Sequence, residues 1–288
     1  MAKKRKLFCE ISPLTYQISA QKEALKRRIR DFLSKTRIAK TKSGVELPFL
    51  IKKHNSLMRR KLNNVDAHLQ ENKAKSLGIA APKVTNILIK PGETFSFWRL
   101  VGKATKRKGY LEGVIISNGA AKSGIGGGMC QFTNLLHWMF LHTDLEIAEH
   151  HHHNGLDLFP DFKRQIPFGT GTSIAYNYLD YRVKNTTNKL YQVIVYTNEE
   201  YLCGQVRCSA PMSTKVHIRE EDACFYERDG EMMRHNKIYR KVVDKVTGNT
   251  VDDRLLLENN ARVVYDYGFI DKDLIRAAPM GECGERLV

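Results

Sequence analysis

The sequence has no long uninterrupted hydrophobic run, and this absence is the first constraint on the class of protein. After the basic start at Met1–Lys6, Leu7 and Phe8 give way to polar residues, so no apolar segment of signal-peptide length follows. No other segment approaches the roughly 20 apolar residues that a transmembrane helix needs. From the sequence we therefore expect a cytoplasmic protein, with at most a peripheral position at the inner membrane face.

Cysteine is also scarce, with six residues scattered over a chain of 288. This is too few for a disulfide framework, although Cys203 and Cys208 could pair across a local turn, and it favours a reducing compartment. Together with His217 and Cys224 they could be drawn as a metal set, but the paired C-x-x-C spacing of structural zinc sites is absent. We expect no metal and no cofactor.

The positive charge is concentrated in one part of the chain. The net charge is +16, and residues 1–75 alone contain twenty Lys and Arg against six acidic residues, a net charge of +14. This region lacks a zinc-finger pattern, a glycine-rich phosphate loop and interleaved aromatic residues, so a nucleic-acid partner is not favoured. Most of the net positive charge therefore lies in an amino-terminal appendage, residues 1–75.

That appendage contains a predicted amphipathic helix over Ala20–Arg37. Leu25, Ile29, Phe32 and Leu33 form one apolar stripe, and basic side chains populate most of the remaining surface. Two alternatives are open: the stripe packs on the rest of the protein under a solvated basic face, or the helix lies on an anionic membrane surface.

The pattern of elements predicts an α+β protein in which a central helix packs on a mostly antiparallel sheet. We divide the chain into a basic helical region (1–70), a central domain (71–208) and a β-rich carboxy-terminal extension (209–288). A second polar helix is predicted over Leu57–Lys75, and a helix over Lys73–Ala81 should kink or end at Pro82. Strands are predicted over Ile87–Ile89, Thr94–Trp98, Val114–Ser117, Ile174–Lys184, Leu190–Thr197, Tyr201–Cys208, Lys237–Val246 and Thr250–Leu257.

The most informative segment is the glycine run Gly126, Gly127 and Gly128, followed by Met129 and Cys130. Successive glycines suit a tight turn or a close approach of the backbone to another group. Apolar residues at helical spacing from Gln131 to His142 place the cysteine at the amino end of a helix. There the helix dipole should lower the thiol pKa, and free N–H groups could hold an oxyanion. The alternative is an ordinary buried cysteine.

Four motifs together resemble the VanW family over roughly residues 70–208. They are KPGETFSFW at Lys90–Trp98, the pair Gly109-Tyr110, GGGMCQ at Gly126–Gln131, and VKNT at Val183–Thr186. The resemblance implies an association with bacterial glycopeptide resistance and cell-wall metabolism. It also implies L,D-transpeptidase-like chemistry in which Cys130 is the nucleophile.

A cysteine acyl-transferase needs a base, and a run of four histidines follows the cysteine helix. A strand returning from Leu145 along that helix would bring His150–His153 level with the thiol. The resemblance implies that His153 is the histidine of the family pattern, and that His150 occupies the place of an arginine that binds a substrate carboxylate. Where relatives carry G-x-D-A, this chain has Gly169–Thr172 as GTGT.

The resulting hypothesis is an acyl-transfer reaction on a peptidoglycan-type peptide or precursor. Cys130 attacks a carbonyl, His153 moves the proton, and Asp157 or Asp161 orients the imidazole. Oxyanion or substrate binding is assigned to Gly126, Gly127, Gly128, Gln131 and His150. The competing hypothesis is a non-catalytic protein that uses the same cleft to hold a cell-wall precursor or a partner protein.

Overall fold

The computed structural model describes residues 7–59, 67–117, 120–152, 155–158, 160–161, 165–176 and 178–277. It confirms the predicted α+β class, with few helices and several antiparallel sheets. The helices are α1 (Pro13–Leu33), α2 (Ala67–Val84), α3 (Phe97–Val101) and α4 (Met129–Phe140). The strands are β1 (Phe49–Leu57), β2 (Ile87–Ile89), β3 (Thr94–Ser96), β4 (Glu112–Ser117), β5 (Ala120–Ile125), β6 (Glu146–Glu149), β7 (Leu156–Asp157), β8 (Arg182–Lys184), β9 (Tyr191–Thr197), β10 (Tyr201–Cys208), β11 (Thr214–Arg228), β12 (Glu231–Asp244) and β13 (Thr250–Val263).

The central sheet has the order β1-β10-β9-β2, and α4 packs on it as the sequence predicts. Gly204 of β10 allows the close approach, because a Cβ at this position would lie 2.6 Å from Met139 Cε and 2.9 Å from Leu135 Cδ2. Most apolar residues of α4 are buried in the main core. This packing fixes the position of the amino end of α4, where Cys130 lies.

The predicted helix over Leu57–Lys75 is wrong at its beginning. Residues Phe49–Leu57 form β1, which pairs antiparallel with β10 from Leu57↔Tyr201 to Phe49↔Cys208. The helix α2 begins at Ala67, residues 60–66 lie outside the described part, and Pro82 sits inside the last turn of α2 instead of ending it. The basic region therefore contributes a strand to the central sheet.

Helix α1 begins before the predicted Ala20, because Ser12 caps it and Pro13 occupies the first turn. Arg27 donates two hydrogen bonds to the Glu149 carboxylate, at 2.5 and 2.7 Å. Asp31, one turn later, accepts two from Arg182, at 2.6 and 2.8 Å. The helix is thus attached to the domain through charged side chains, and none of its residues is buried.

The carboxy-terminal extension is a sheet of three long strands, β11-β12-β13, with the short strand β7 added in parallel. Of these, β11 was not predicted. Arg240 of β12 donates to the carbonyl oxygens of Leu141 and Thr143, both at 3.0 Å, just after α4 ends. This sheet is therefore anchored beside the cysteine helix. The helices in the described part of the chain all lack the combination of length and apolar character needed to cross a bilayer.

Candidate functional site

The glycine run makes the close backbone approach that its sequence predicts. A Cβ on Gly127 would lie 2.3 Å from the carbonyl carbon of Gly113, so a side chain cannot be accommodated without moving the backbone. Gly128 caps α4 with φ of 96°, in the left-handed region. A Cβ there would also meet the stem of Lys73 at 2.3 Å. These contacts hold the turn that begins the cysteine helix.

Cys130 is the second residue of α4 and is partly exposed in a cleft of about 1850 Å³. The expected lowering of its pKa is not found: burial raises the pKa of the Cys130 thiol. The backbone N–H groups of Ile174 and of Cys130 itself oppose this shift, but desolvation of the thiolate is the larger effect. At neutral pH the residue is therefore a thiol that needs a base.

Gln131 lines the cleft, and its side chain is also bonded to the central sheet. Its amide nitrogen donates to Ser56 Oγ and to the Leu57 carbonyl oxygen, both at 2.8 Å. Both amide hydrogens are therefore directed at β1, and the side chain ties the first turn of α4 to the central sheet. Gly126 and Gly128 also line the cleft.

The histidine run returns beside α4, as the predicted strand from Leu145 requires, and β6 occupies Glu146–Glu149. Within the run the side chains have separate environments. His151 contacts the Glu149 carboxylate at 2.9 Å, whereas His152 lines the cleft together with Cys130. His153, the predicted base, lies outside the described residues.

His150, which the sequence analysis assigns to substrate binding, packs between α4 and the segment at Gly171. Its ring stacks on His137 of α4 with centroids 4.0 Å apart, and its Nε2 lies 3.1 Å from the Gly171 carbonyl oxygen. Burial lowers the pKa of His150 to about 4, so the ring is uncharged at neutral pH. The neutral imidazole therefore lacks the positive charge of the arginine that the resemblance implies at this position.

A group of three imidazoles supports this side of the cleft. The His150 ring also meets His152 edge-on at 4.1 Å. Burial lowers the pKa of His152, and it holds the pKa of His137 well below its ordinary value. The His137 Nδ1 lies 3.1 Å from the Tyr181 hydroxyl. His152 is therefore a neutral imidazole at neutral pH, which is the form that accepts a proton.

Asn134 is a cleft residue that the sequence analysis missed. Its Oδ1 accepts hydrogen bonds from Thr172 N at 2.6 Å and Thr172 Oγ1 at 2.9 Å. This anchors the segment Gly169–Thr172 to α4. Asn134 and His137 follow Cys130 at i+4 and i+7, so a polar stripe on an otherwise apolar helix was the available signal.

Both candidate aspartates are paired with Arg234 of β12. Asp157 accepts from Arg234 at 3.1 Å and from the Tyr265 hydroxyl at 3.0 Å, and Asp161 also accepts from Arg234. The guanidinium lies over the Phe168 ring at 4.2 Å. These contacts stabilise the junction with the carboxy-terminal sheet, which forms one wall of the cleft.

No group of three or more His, Cys, Asp or Glu side chains suited to a metal occurs within the described ranges. The set drawn from Cys203, Cys208, His217 and Cys224 is divided between two strands, with the first two residues in β10 and the last two in β11, and the three cysteines are buried free thiols.

Comparisons with known proteins agree with the motifs. The family model described as "VanW like protein" matches residues 72–207. The chain is 34% identical over 227 residues to Vancomycin B-type resistance protein VanW of Enterococcus faecalis, covering 79% of this chain and 82% of that protein. It is 30% identical over 123 residues to the uncharacterized protein YoaR of Bacillus subtilis, covering 41% and 38%. No solved structure matches. The family model and the enterococcal relative, taken together, show that this chain belongs to the VanW family.

Proposed function

We propose that this protein is an accessory factor of glycopeptide resistance or cell-wall metabolism that transfers an acyl group on a peptidoglycan-type peptide, with Cys130 as nucleophile. The observation that carries the proposal is that Cys130, at the amino end of α4, lines one cleft with the neutral imidazole of His152. A cleft of about 1850 Å³ also has room for an extended peptide, since small-molecule pockets occupy about 300–1,000 Å³.

The chemistry begins with two neutral partners. The imidazole takes the proton from the Cys130 thiol as the sulfur attacks the carbonyl carbon of the donor peptide. The N–H groups of Met129 and Cys130, the first two of α4, stabilise the oxyanion, because N–H groups at the start of a helix have no carbonyl partner one turn earlier in the helix. The carbon–nitrogen bond then breaks, and the leaving amine takes the proton. A second amine attacks the thioester carbonyl and gives up its proton to the imidazole. The carbon–sulfur bond then breaks, the new amide is released, and the imidazolium returns the proton to the Cys130 sulfur.

Among the described histidines of the run, His152 lines the cleft with Cys130 and is one candidate for the base, while the resemblance implies His153. Single variants His152→Ala and His153→Ala assign the base, because only loss of the acting imidazole should lower the acylation rate by the 10²–10⁴-fold typical of general-base catalysis. The matched control is His151→Ala, which removes the neighbour that contacts Glu149.

The test is acyl-enzyme formation with a peptidoglycan-type donor peptide, followed by intact mass and peptide mapping. We expect an adduct on Cys130 whose mass equals that of the donor less the leaving amine, and none in Cys130→Ala. Cys9→Ala should retain the adduct. Normal turnover by Cys130→Ala would exclude the proposed nucleophile.

A second candidate function is non-catalytic binding of a cell-wall precursor. The buried, neutral His150 in place of a carboxylate-binding arginine favours it, as does the raised pKa of Cys130. Titration calorimetry with the same donor peptide separates the two functions. Equal affinity of wild type and Cys130→Ala, with no adduct at any pH, would support binding alone.

A further inference from the structure

The apolar face of α1 points away from the protein, which is the reverse of an ordinary amphipathic surface helix. Leu25, Ile29, Phe32 and Leu33 are exposed by 58, 49, 82 and 71%. The half-buried positions of α1 are instead polar or small, and Arg27 is among them. An apolar stripe turned outward on a tethered helix indicates a surface that is covered by something else.

The attachment of α1 explains why the stripe faces outward. Arg27 and Asp31 lie one turn apart on the same face, and both form bidentate ion pairs with the domain. At 3.6 residues per turn, Ile29 is rotated by about 200° from Arg27, and Leu25 by about 200° in the opposite sense. The two ion pairs therefore fix the helix with these apolar residues on its far side.

The basic side chains beside the apolar stripe indicate an anionic partner. Lys22, Lys26, Arg28 and Arg30 lie on the exposed surface of the helix, and its described acids are already engaged, Glu23 with Lys26 and Asp31 with Arg182. We propose that α1 binds an anionic lipid bilayer, with the apolar stripe in the interface and these cations at the headgroups. A second copy of the chain would instead bring the same cations against each other.

This docking would place the cleft next to the bilayer. Tyr16 of α1 lines the cleft that contains Cys130, so the helix that meets the lipid also borders the candidate site. The matching substrate class is a peptide precursor carried on a lipid. This last step rests on the proposed function, whereas lipid binding itself does not depend on Cys130.

The test is co-sedimentation of the full chain with vesicles of phosphatidylcholine alone or with 30% phosphatidylglycerol, at about 50 and 500 mM salt. We expect binding to the anionic vesicles only, reduced at high salt by screening. The apolar variant carries Ile29→Glu and Phe32→Glu. The charge variant carries Lys22→Glu and Arg28→Glu and leaves Arg27 in its ion pair. With about 1 kcal/mol for each basic residue near the surface, the charge variant should bind at least about 30-fold more weakly.

Matched controls carry equivalent pairs of changes elsewhere. Val246→Glu with Val251→Glu replaces two exposed apolar residues, and Lys215→Glu with Lys272→Glu replaces two exposed cations. These controls and Cys130→Ala should bind like wild type, so failure of the catalytic proposal leaves this result intact. Equal binding by wild type and both α1 variants, or no binding to anionic vesicles, would overturn the proposal. So would a concentration-dependent dimer that the Ile29→Glu and Phe32→Glu variant abolishes, since a second copy would then cover the stripe.

Discussion

Replacing Asp180 by Asn should destabilise the protein more than most single substitutions, because this carboxylate joins several elements. Its Oδ1 accepts the backbone N–H groups of Trp98 and Tyr181, at 3.0 and 2.9 Å. Its Oδ2 accepts from the Ser96 hydroxyl and from Arg182 Nε, the latter at 2.8 Å. Asn keeps the shape and the first pair of bonds. It loses the charge, and its NH₂ group faces the Arg182 donor.

The magnitude follows from the burial of the pair. The Asp180 and Arg182 side chains are 1 and 9% exposed, and breaking a buried ion pair costs about 3–5 kcal/mol. Arg182 keeps its second partner, Asp31, so we expect the lower end of this range, about 3 kcal/mol in the free energy of unfolding. For a chain of this size that corresponds to a drop in Tm of roughly 6–12 °C.

Urea unfolding followed by tryptophan fluorescence measures this change, because Trp98 lies directly on the network. The control is Asp253→Asn, which removes a carboxylate from a pair with Arg219 whose side chains are about one third exposed. Such pairs contribute only about 0–1 kcal/mol. A loss below about 1 kcal/mol for Asp180→Asn, equal to that of the control, would refute the reasoning that the network is desolvated and cooperative.

Three further predictions concern the cysteine turn. Gly127→Ala should lower the free energy of unfolding, measured by urea titration, by about 1–3 kcal/mol or more, because its Cβ would overlap the Gly113 backbone. The control Gly44→Ala should change this free energy little, because a Cβ at Gly44 would have no atom within 4 Å. The rate of Cys130 alkylation by iodoacetamide, followed by mass spectrometry, should rise about tenfold per pH unit between pH 7 and 9, because a raised pKa leaves the thiolate scarce at neutral pH. A rate that no longer changes with pH above pH 7 would contradict this. Gln131→Met should leave the fold largely intact but slow that alkylation or acylation by changing the position of the helix start, and unchanged kinetics would show that its bonds to β1 are dispensable.

Local patterns in the sequence were sufficient to predict the structure at the centre of the candidate site. Three glycines followed by helical apolar spacing predicted the turn, the start of α4 and the position of Cys130, because tight backbone packing and one buried helix face are both expressed locally. The strand that returns from Leu145 followed from helix and strand lengths alone. The choice of a catalytic base among four consecutive histidines could not be made from these lengths, because tertiary contacts determine the direction of each side chain in such a run.

The errors arose where strands carry charges. The segment of β1 contains Lys52, Lys53 and His54, which hide the apolar alternation of a strand, yet β1 is an edge strand where lysines are well tolerated. The unpredicted β11 contains the charged run Arg219–Asp222, whose side chains are largely exposed on the carboxy-terminal sheet. In the predicted strand Ile174–Lys184 the regular part is Arg182–Lys184, whereas Ile174, Ala175 and Tyr176 line the cleft.

Composition and periodicity did not determine which face of α1 contacts the domain. The sequence defines an apolar stripe and a basic face, but either face could contact the domain, and burial of the stripe is the commoner outcome. Here two ion pairs separated by 122 and 151 residues in sequence decide the orientation. Glu149 precedes the histidine run and Arg182 contacts Asp180, so the same charged network that turns the apolar face outward also supports the segment beside the cleft. If α1 binds lipid as proposed, we expect this network to transmit the change to the candidate site, and Cys130 alkylation measured with and without anionic vesicles tests that expectation.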